Sequence, residues 1–143
     1  PDQPITRGEM AKIIANFAKL GGATKSFTDL SGHWAKTYVE LAAGNGWIEG
    51  YPDGTFGPDK KITRAETVTM INRVLDRVPA KESRLLPRSV MLTFPDNEPG
   101  EWYYIAIQEA TNSHTYQRSV YETAGDEMWI KLIDNVDWTK LEK

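Results

Sequence analysis

The sequence contains no cysteine among its 143 residues. Disulfide bridges, thiolate nucleophiles and sulfur-based metal sites are therefore excluded. An excess of positive charge is also missing, because 17 lysines and arginines face 20 aspartates and glutamates, for a net charge of −3. Nucleic-acid binding needs a basic surface that neutralises phosphates, so we expect no nucleic-acid partner. No apolar run reaches the roughly 20 residues of a membrane-spanning helix, so we expect no membrane insertion.

One six-residue motif occurs twice, as Ile-Thr-Arg-Gly-Glu-Met at 5–10 and Ile-Thr-Arg-Ala-Glu-Thr at 62–67, an offset of 62 − 5 = 57 residues. Pro-Asp precedes both copies at the same distance. A repeat of this length indicates copies of one supersecondary unit. Pro1 aligns with Pro58, which lies deep inside a repeat. We therefore interpret the chain as a piece of a longer protein that begins partway through its first copy.

Both copies of the motif predict a helix start. Thr6 with Glu9, and Thr63 with Glu66, have the S/T-x-x-E spacing of a capping box, so we assign these four residues to structural capping. Apolar residues follow at helical spacing on one predicted inward face per helix: Met10, Ile13, Ile14 and Phe17 in the first, Met70, Ile71, Val74 and Val78 in the second. Gly21-Gly22 and Pro79 are predicted to end these helices.

A different helix is predicted over about 34–43, closed by a left-handed cap at Gly46. Its predicted inward side carries Trp34, Tyr38, Leu41 and Ala42. The segment 50–56, Gly-Tyr-Pro-Asp-Gly-Thr-Phe, predicts a tight turn with aromatic anchors at both ends.

A third unit begins near Phe94. Phe-Pro-Asp at 94–96 echoes Phe-Thr-Asp at 27–29, and Trp102 echoes Trp34. A helix is predicted over about 101–111 with Trp102, Ile105, Ala106 and Ala110 inward. After Asn112 both the turn and the Thr-Arg-Ala-Glu motif are missing, and we expect the tail to be partly helical. The predicted organisation is the back half of a first repeat at 1–22, a complete repeat at 23–79, a linker at 80–93 and a divergent third repeat with its tail at 94–143.

The motifs Phe27-x-Asp29, His33-Trp34-Ala35, 50–56 and 62–66, in this order and spacing, resemble the S-layer homology repeat, which anchors bacterial surface proteins to the cell wall. The resemblance implies an all-α fold of helix-loop-helix repeats in a pseudo-threefold, three-pronged spindle. It implies a secreted protein of the cell surface, cell wall or S-layer of a Gram-positive-type bacterium. It also implies non-covalent anchoring through secondary cell wall polysaccharide, often a pyruvylated glycan, with no cofactor and no enzymatic activity. Because the first and third repeats are incomplete, at most one or two intact grooves are expected.

Arg64 and Arg7 are the first candidates for binding this ligand. Each follows a capping threonine, and a positive charge at a helix N-terminus is unfavourable by about 0.3–1 kcal/mol when exposed. Its presence in both copies therefore indicates either an anionic ligand or a salt bridge to an acidic residue of a neighbouring repeat. The resemblance favours the ligand, for which a pyruvyl ketal would present a carboxylate.

Five further residues complete the candidate carbohydrate site. Trp34 and Trp102 suit either stacking on a sugar ring or core packing, and Trp47 suits a groove edge. Asp29 suits a cap or turn with a ligand role as the alternative, and Gly46 suits either backbone geometry or close approach of a sugar. The two histidines, His33 and His114, have no spacing typical of a metal site, and the order of a calcium loop is absent, so we expect no metal.

Two other functions remain open on the sequence. The incomplete repeats could leave apolar helix faces that are covered by self-assembly or homo-oligomerisation. The chain could also be an accessory module of a cell-surface glycoside hydrolase. A glycosidase active site within this chain is not expected, because no pair of carboxylates is singled out for a common cleft.

Overall fold

The computed structural model describes residues 3–17, 23–77, 79–118 and 127–134. It separates into two compact units, Pro1–Leu75 and Asp76–Lys143, and each is described by itself. The described residues form four α-helices, one short 3-10 helix and one two-stranded sheet. The predicted helical repeat fold is confirmed, and the sheet is an addition to it. In this part of the chain the helices are too short and too polar for any of them to cross a membrane.

The first unit contains helices α1 (Arg7–Ala15) and α3 (Arg64–Val74), one from each copy of the motif. Both capping boxes are present. The side chain of Thr6 accepts from the Glu9 backbone N–H, and that of Thr63 accepts from the Glu66 backbone N–H, each at 3.2 Å. Each glutamate accepts the threonine's own backbone N–H at 2.8 Å. The structural capping prediction is thus confirmed for all four residues, because it depends only on local spacing.

Helix α2 (Lys36–Gly44) follows α1 and precedes α3 along the chain. It ends as predicted, since Gly46 has a φ of 75° and the Trp47 N–H donates to the Ala42 carbonyl at 3.0 Å. Its start differs from the prediction, because Trp34 precedes the helix and is 53% exposed. The inward position predicted for Trp34 was therefore wrong. Ala42 is buried as predicted, and the helix also buries Val39 and Ala43.

The core of the first unit forms where α1 packs against α2 and α3. Its buried apolar residues are Met10, Ala11, Ile14, Leu30, Ala35, Val39, Ala42, Ala43, Ile48, Phe56 and Met70. Two residues of the predicted α1 face lie outside it, Ile13 at 48% exposed and Phe17 at 73%. Phe17 lies beyond the helix end at Ala15, where the helical spacing no longer fixes its direction. Val78 and Gly21-Gly22 fall outside the described residues.

The turn at 50–56 closes with a hydrogen bond of 2.7 Å from the Tyr51 N–H to the Thr55 carbonyl. The backbone N–H groups of Phe56 and Gly57 donate to the two oxygens of Asp29, at 2.9 and 2.7 Å. Burial by itself raises the pKa of Asp29, but these hydrogen bonds outweigh it and lower the pKa below its ordinary value of 3.8. Asp29 therefore holds the turn against the segment that begins the repeat.

We expect the Asp29→Ala variant to lose about 2 kcal/mol of unfolding free energy at pH 7, because two hydrogen bonds to a charged acceptor disappear. A depressed folded-state pKa contributes stability that is full above the unfolded value and is lost as the pH falls through the folded value. The difference between wild type and variant should therefore shrink below about pH 4. Urea denaturation at pH 7 and at pH 3 measures both effects. An equal difference at the two pH values would contradict this role.

The second unit contains α4 (Tyr104–Thr111) and an antiparallel hairpin of β1 (His114–Arg118) and β2 (Glu127–Leu132). The tail was predicted to be partly helical, but its described residues form these two strands instead. Residues 119–126 and 135–143 lie outside the described part. Trp102 precedes α4 and is 64% exposed, so its predicted inward direction was wrong. Helix α4 instead buries Tyr104, Gln108 and Glu109.

The segment predicted as a linker, 80–93, is partly ordered against α4. It holds the short 3-10 helix Glu82–Arg84 and the buried Met91. The Asn112 side chain accepts the Leu92 N–H at 2.7 Å and donates to the Gln108 side chain at 2.7 Å. Asn112 is itself buried, so these bonds join the segment to the end of α4 in a sheltered position.

Candidate functional site

A surface groove of about 530 Å³ lies beside α1. Its lining comes from the stretch before α1, from α1 itself and from the segment ahead of α2. We name it the α1 groove, and its lining residues are Gln3, Pro4, Ile5, Glu9, Lys12, Ile13 and Trp34. It therefore lies between the first copy of the repeat and the start of the second.

Trp34 provides the aromatic surface of the α1 groove. Its ring is 53% exposed and lies 5.5 Å from the His33 ring, whose Nε2 is 3.2 Å from Asp59 Oδ1. The Lys12 Nζ lies 5.9 Å from the Trp34 ring centroid and 5.6 Å from that of Tyr38. An exposed aromatic face beside an ammonium group can pack on the C–H face of a sugar while the cation binds an acidic substituent.

Arg64 is the first residue of α3 and is exposed. Within the described residues its side chain has no hydrogen bond or ion pair. Glu66, the acidic residue in the first turn of α3, is engaged with Thr63 and with Arg7 instead. A free guanidinium at the positive end of a helix dipole is suited to a carboxylate ligand.

Arg7 occupies the matching position in α1 but has the opposite environment. It is 4% exposed, pairs with Glu66, and donates to the carbonyls of Phe56 and Glu49 at 2.9 Å each. Its guanidinium carbon also lies 4.5 Å from the Phe56 ring centroid. The salt bridge to a neighbouring repeat, one of the two readings of this arginine, is therefore what the structure shows for Arg7. Its donors are engaged within the fold.

The remaining candidate residues are spread over both units. Trp47 is half-buried against the core of the first unit, and Gly46 forms the left-handed cap of α2. Asp29 accepts from the turn backbone as described above. Trp102 lies in the second unit, two residues before α4, just as Trp34 lies two residues before α2. The structure therefore brings only Trp34 of the predicted set into the α1 groove.

Sequence reasoning missed Lys12 as a groove residue. Lys12 lies one helical turn after Glu9, so its position on the same side of α1 could have been read from the spacing. Its approach to Trp34, 22 positions further along the chain, depends on how α1 packs against α2, and no local pattern indicates it.

Comparison with known proteins agrees with this architecture. Residues 26–68 match the model of the S-layer homology domain. The chain is 35% identical to the cellulosome-anchoring protein of Acetivibrio thermocellus, over 94% of the chain and 29% of that protein. It is 27% identical to a surface layer protein of Brevibacillus choshinensis, over 96% of the chain and 12% of the relative. It is also 36% identical to endo-1,4-beta-xylanase A of Thermoanaerobacterium saccharolyticum, over 64% of the chain and 8% of the relative.

The chain spans less than a third of the length of each of these relatives. No solved structure matches it. Helical repeats that begin with matching capping boxes, together with relatives of this kind, define a repeat module of bacterial cell-surface proteins. Residues 26–68 of the chain belong to the S-layer homology domain family.

Proposed function

We propose that this chain anchors its parent protein to the cell wall by binding secondary cell wall polysaccharide non-covalently, with an acidic, pyruvylated glycan as the preferred ligand. The observation that carries the proposal is the α1 groove, where an exposed Trp34 lies beside Lys12. The relatives support it, since one is named a cellulosome-anchoring protein and another a surface layer protein. The module itself needs no catalytic group for this task.

In this proposal four residues share the binding. Trp34 stacks on a sugar ring, Lys12 attracts an acidic substituent in the α1 groove, and Arg64 binds a carboxylate at the start of α3. Trp102 offers a second stacking surface in the other unit. Several modest contacts on one chain gain affinity when they engage the same polymer. Arg7 has no direct part, because its donors are used inside the fold.

Cosedimentation with purified wall sacculi tests the proposal. We expect Trp34→Ala and Arg64→Ala each to weaken binding roughly tenfold to hundredfold, because aromatic and arginine contacts carry most of the energy at such sites. Lys36→Ala is the matched control, since it also removes an exposed cation at the first position of a helix but lies outside the groove lining. Trp34→Phe and Arg64→Lys should keep part of the binding.

The walls supply the second comparison. Native walls, walls stripped of secondary polymer, and walls from which pyruvyl groups have been removed are used in parallel. Equal binding to native and stripped walls would contradict polysaccharide anchoring. Equal binding to native and depyruvylated walls would contradict the preference for an acidic glycan but not polysaccharide anchoring itself. If the control variant binds as weakly as Arg64→Ala, the loss reflects net charge and not a site.

Self-assembly is the second candidate function. The apolar residues Ile13 and Phe17 of the α1 segment are 48% and 73% exposed, although α1 and α3 do pack against each other. Sedimentation velocity over a wide concentration range separates this function from anchoring, because a monomer at all concentrations would exclude it. A role as accessory module of a glycoside hydrolase rests on the xylanase relative and is compatible with anchoring.

A further inference from the structure

The second unit contains a buried polar cluster that wall binding does not use. Glu109 lies on α4, His114 begins β1 and Glu127 begins β2, and their side chains are between 0% and 1% exposed. One ligand-type atom from each residue lies within 4.8 Å of the others. Buried charged groups of this kind are held by partners or by a metal ion, because an isolated charge is costly in the interior.

The histidine has a defined tautomer. His114 Nδ1 lies 2.7 Å from the backbone carbonyl oxygen of Asn112, and because a carbonyl only accepts, Nδ1 carries the hydrogen. The Nε2 atom of a neutral ring is then a lone pair, and it faces Glu109 Oε2 at 3.4 Å. The Trp129 ring stacks on the imidazole at 3.9 Å and fixes its plane. A backbone acceptor on Nδ1 is the usual support of a histidine that binds metal through Nε2.

The two glutamates are oriented by arginines on their outer oxygens. Arg77 donates to Glu109 Oε1 at 3.1 Å, and Arg118 donates to Glu127 Oε1 at 3.0 Å. Glu109 Oε2 accepts the Trp129 Nε1–H at 3.0 Å. Within the described part of the chain, Glu127 Oε2 and His114 Nε2 have no hydrogen-bond partner. Two buried acceptor atoms of the cluster, His114 Nε2 and Glu127 Oε2, are therefore without a donor, which is unfavourable unless a cation joins them.

We propose that Glu109, His114 and Glu127 bind one divalent transition metal ion of the zinc type, through His114 Nε2 and the Oε2 atoms of the two glutamates. Imidazole with carboxylates is a donor set that zinc accepts, whereas calcium takes six to eight oxygens. Ligand atoms about 2.1 Å from a tetrahedral ion lie about 3.4 Å from one another, which is the separation of His114 Nε2 from Glu109 Oε2. Such an ion would join α4 to both strands of the hairpin in a chain that has no disulfide.

The test uses the untagged chain after chelator treatment, titrated with zinc chloride by calorimetry. We expect one equivalent to bind and the melting temperature to rise with zinc concentration. His114→Gln and Glu127→Gln should each weaken zinc binding roughly 100-fold or more, since removing a ligand exceeds the effect of losing a supporting contact. His33→Gln is the matched control, because the sequence has only two histidines and His33 lies in the other unit.

A measurement on the wild type keeps the proposal testable if a variant fails to fold. In a nitrogen-15 spectrum of the imidazole rings, zinc should shift Nε2 of His114 and leave His33 unchanged. Cobalt(II) should give visible absorption bands of a four-coordinate site, lost on adding zinc. Failure of the folded wild type to bind either ion stoichiometrically would overturn the proposal and leave a proton as the cation between Glu109 and His114. Loss of binding in His33→Gln would overturn it as well.

Discussion

The Arg7→Ala variant is expected to lose about 3–5 kcal/mol of unfolding free energy in the first unit, the range measured when one partner of a buried ion pair is removed. The change leaves Glu66 without its charge partner. It also leaves the carbonyls of Glu49 and Phe56 without the donors that reach them at 2.9 Å. Equilibrium denaturation in urea, followed by circular dichroism, measures the loss.

Arg64→Ala is the matched control for this experiment. It removes the same residue from the same position of the repeated motif, but the side chain is exposed, and we expect a change within about 0.5 kcal/mol. The pair of variants separates two roles of one motif, because Arg64→Ala should weaken wall binding while keeping stability. Equal destabilisation by both changes would show that helix N-terminal electrostatics, and not the buried contacts of Arg7, determine the effect.

Phe56→Ala is expected to lose about 3–5 kcal/mol, the usual range for truncating a fully buried phenylalanine. The ring is 0% exposed, lies 5.5 Å from the Phe27 ring and is covered by the Arg7 guanidinium. A cavity at this place would loosen the turn at 50–56 as well as the core, because the Phe56 backbone binds both Arg7 and Asp29. Thermal unfolding and urea denaturation measure the change.

Phe17→Ala is the control, since it deletes an identical ring that is 73% exposed. We expect a change within about 0.5 kcal/mol for it. The Phe56→Ala loss should be accompanied by faster hydrogen exchange of the Tyr51 amide, whose bond to Thr55 closes the turn. Unchanged exchange at that amide would contradict the link between ring and turn.

Local features of this fold could be predicted from the sequence. Both capping boxes and the left-handed cap at Gly46 are as expected, because each depends on residues within one turn of a helix. The inward faces were less well predicted. Trp34 and Trp102 lie before their helices and are exposed. The prediction began each helix too early, so the helical spacing wrongly placed both residues on the inward face.

The different environments of Arg7 and Arg64 could not be predicted from the motif they share. Arg7 is buried because the turn at 50–56 and Glu66 of the next copy lie against it. The sequence after Asn112 carries neither that turn nor a second Thr-Arg-Ala-Glu, so nothing equivalent is encoded for Arg64. The cluster of Glu109, His114 and Glu127 also could not be predicted from a local motif. Its residues come from a helix and two strands, and their spacing in the sequence is not typical of metal ligands.

The bonds of Arg7 also set an order of events during synthesis. A chain leaves the ribosome with its N-terminus first, and Arg7 then has to wait for Glu66, 59 positions behind it. Until that residue emerges, α1 has its capping box but lacks the partner of its buried charge. Arg7 therefore gains its buried ion pair only after the second copy of the repeat has been synthesised.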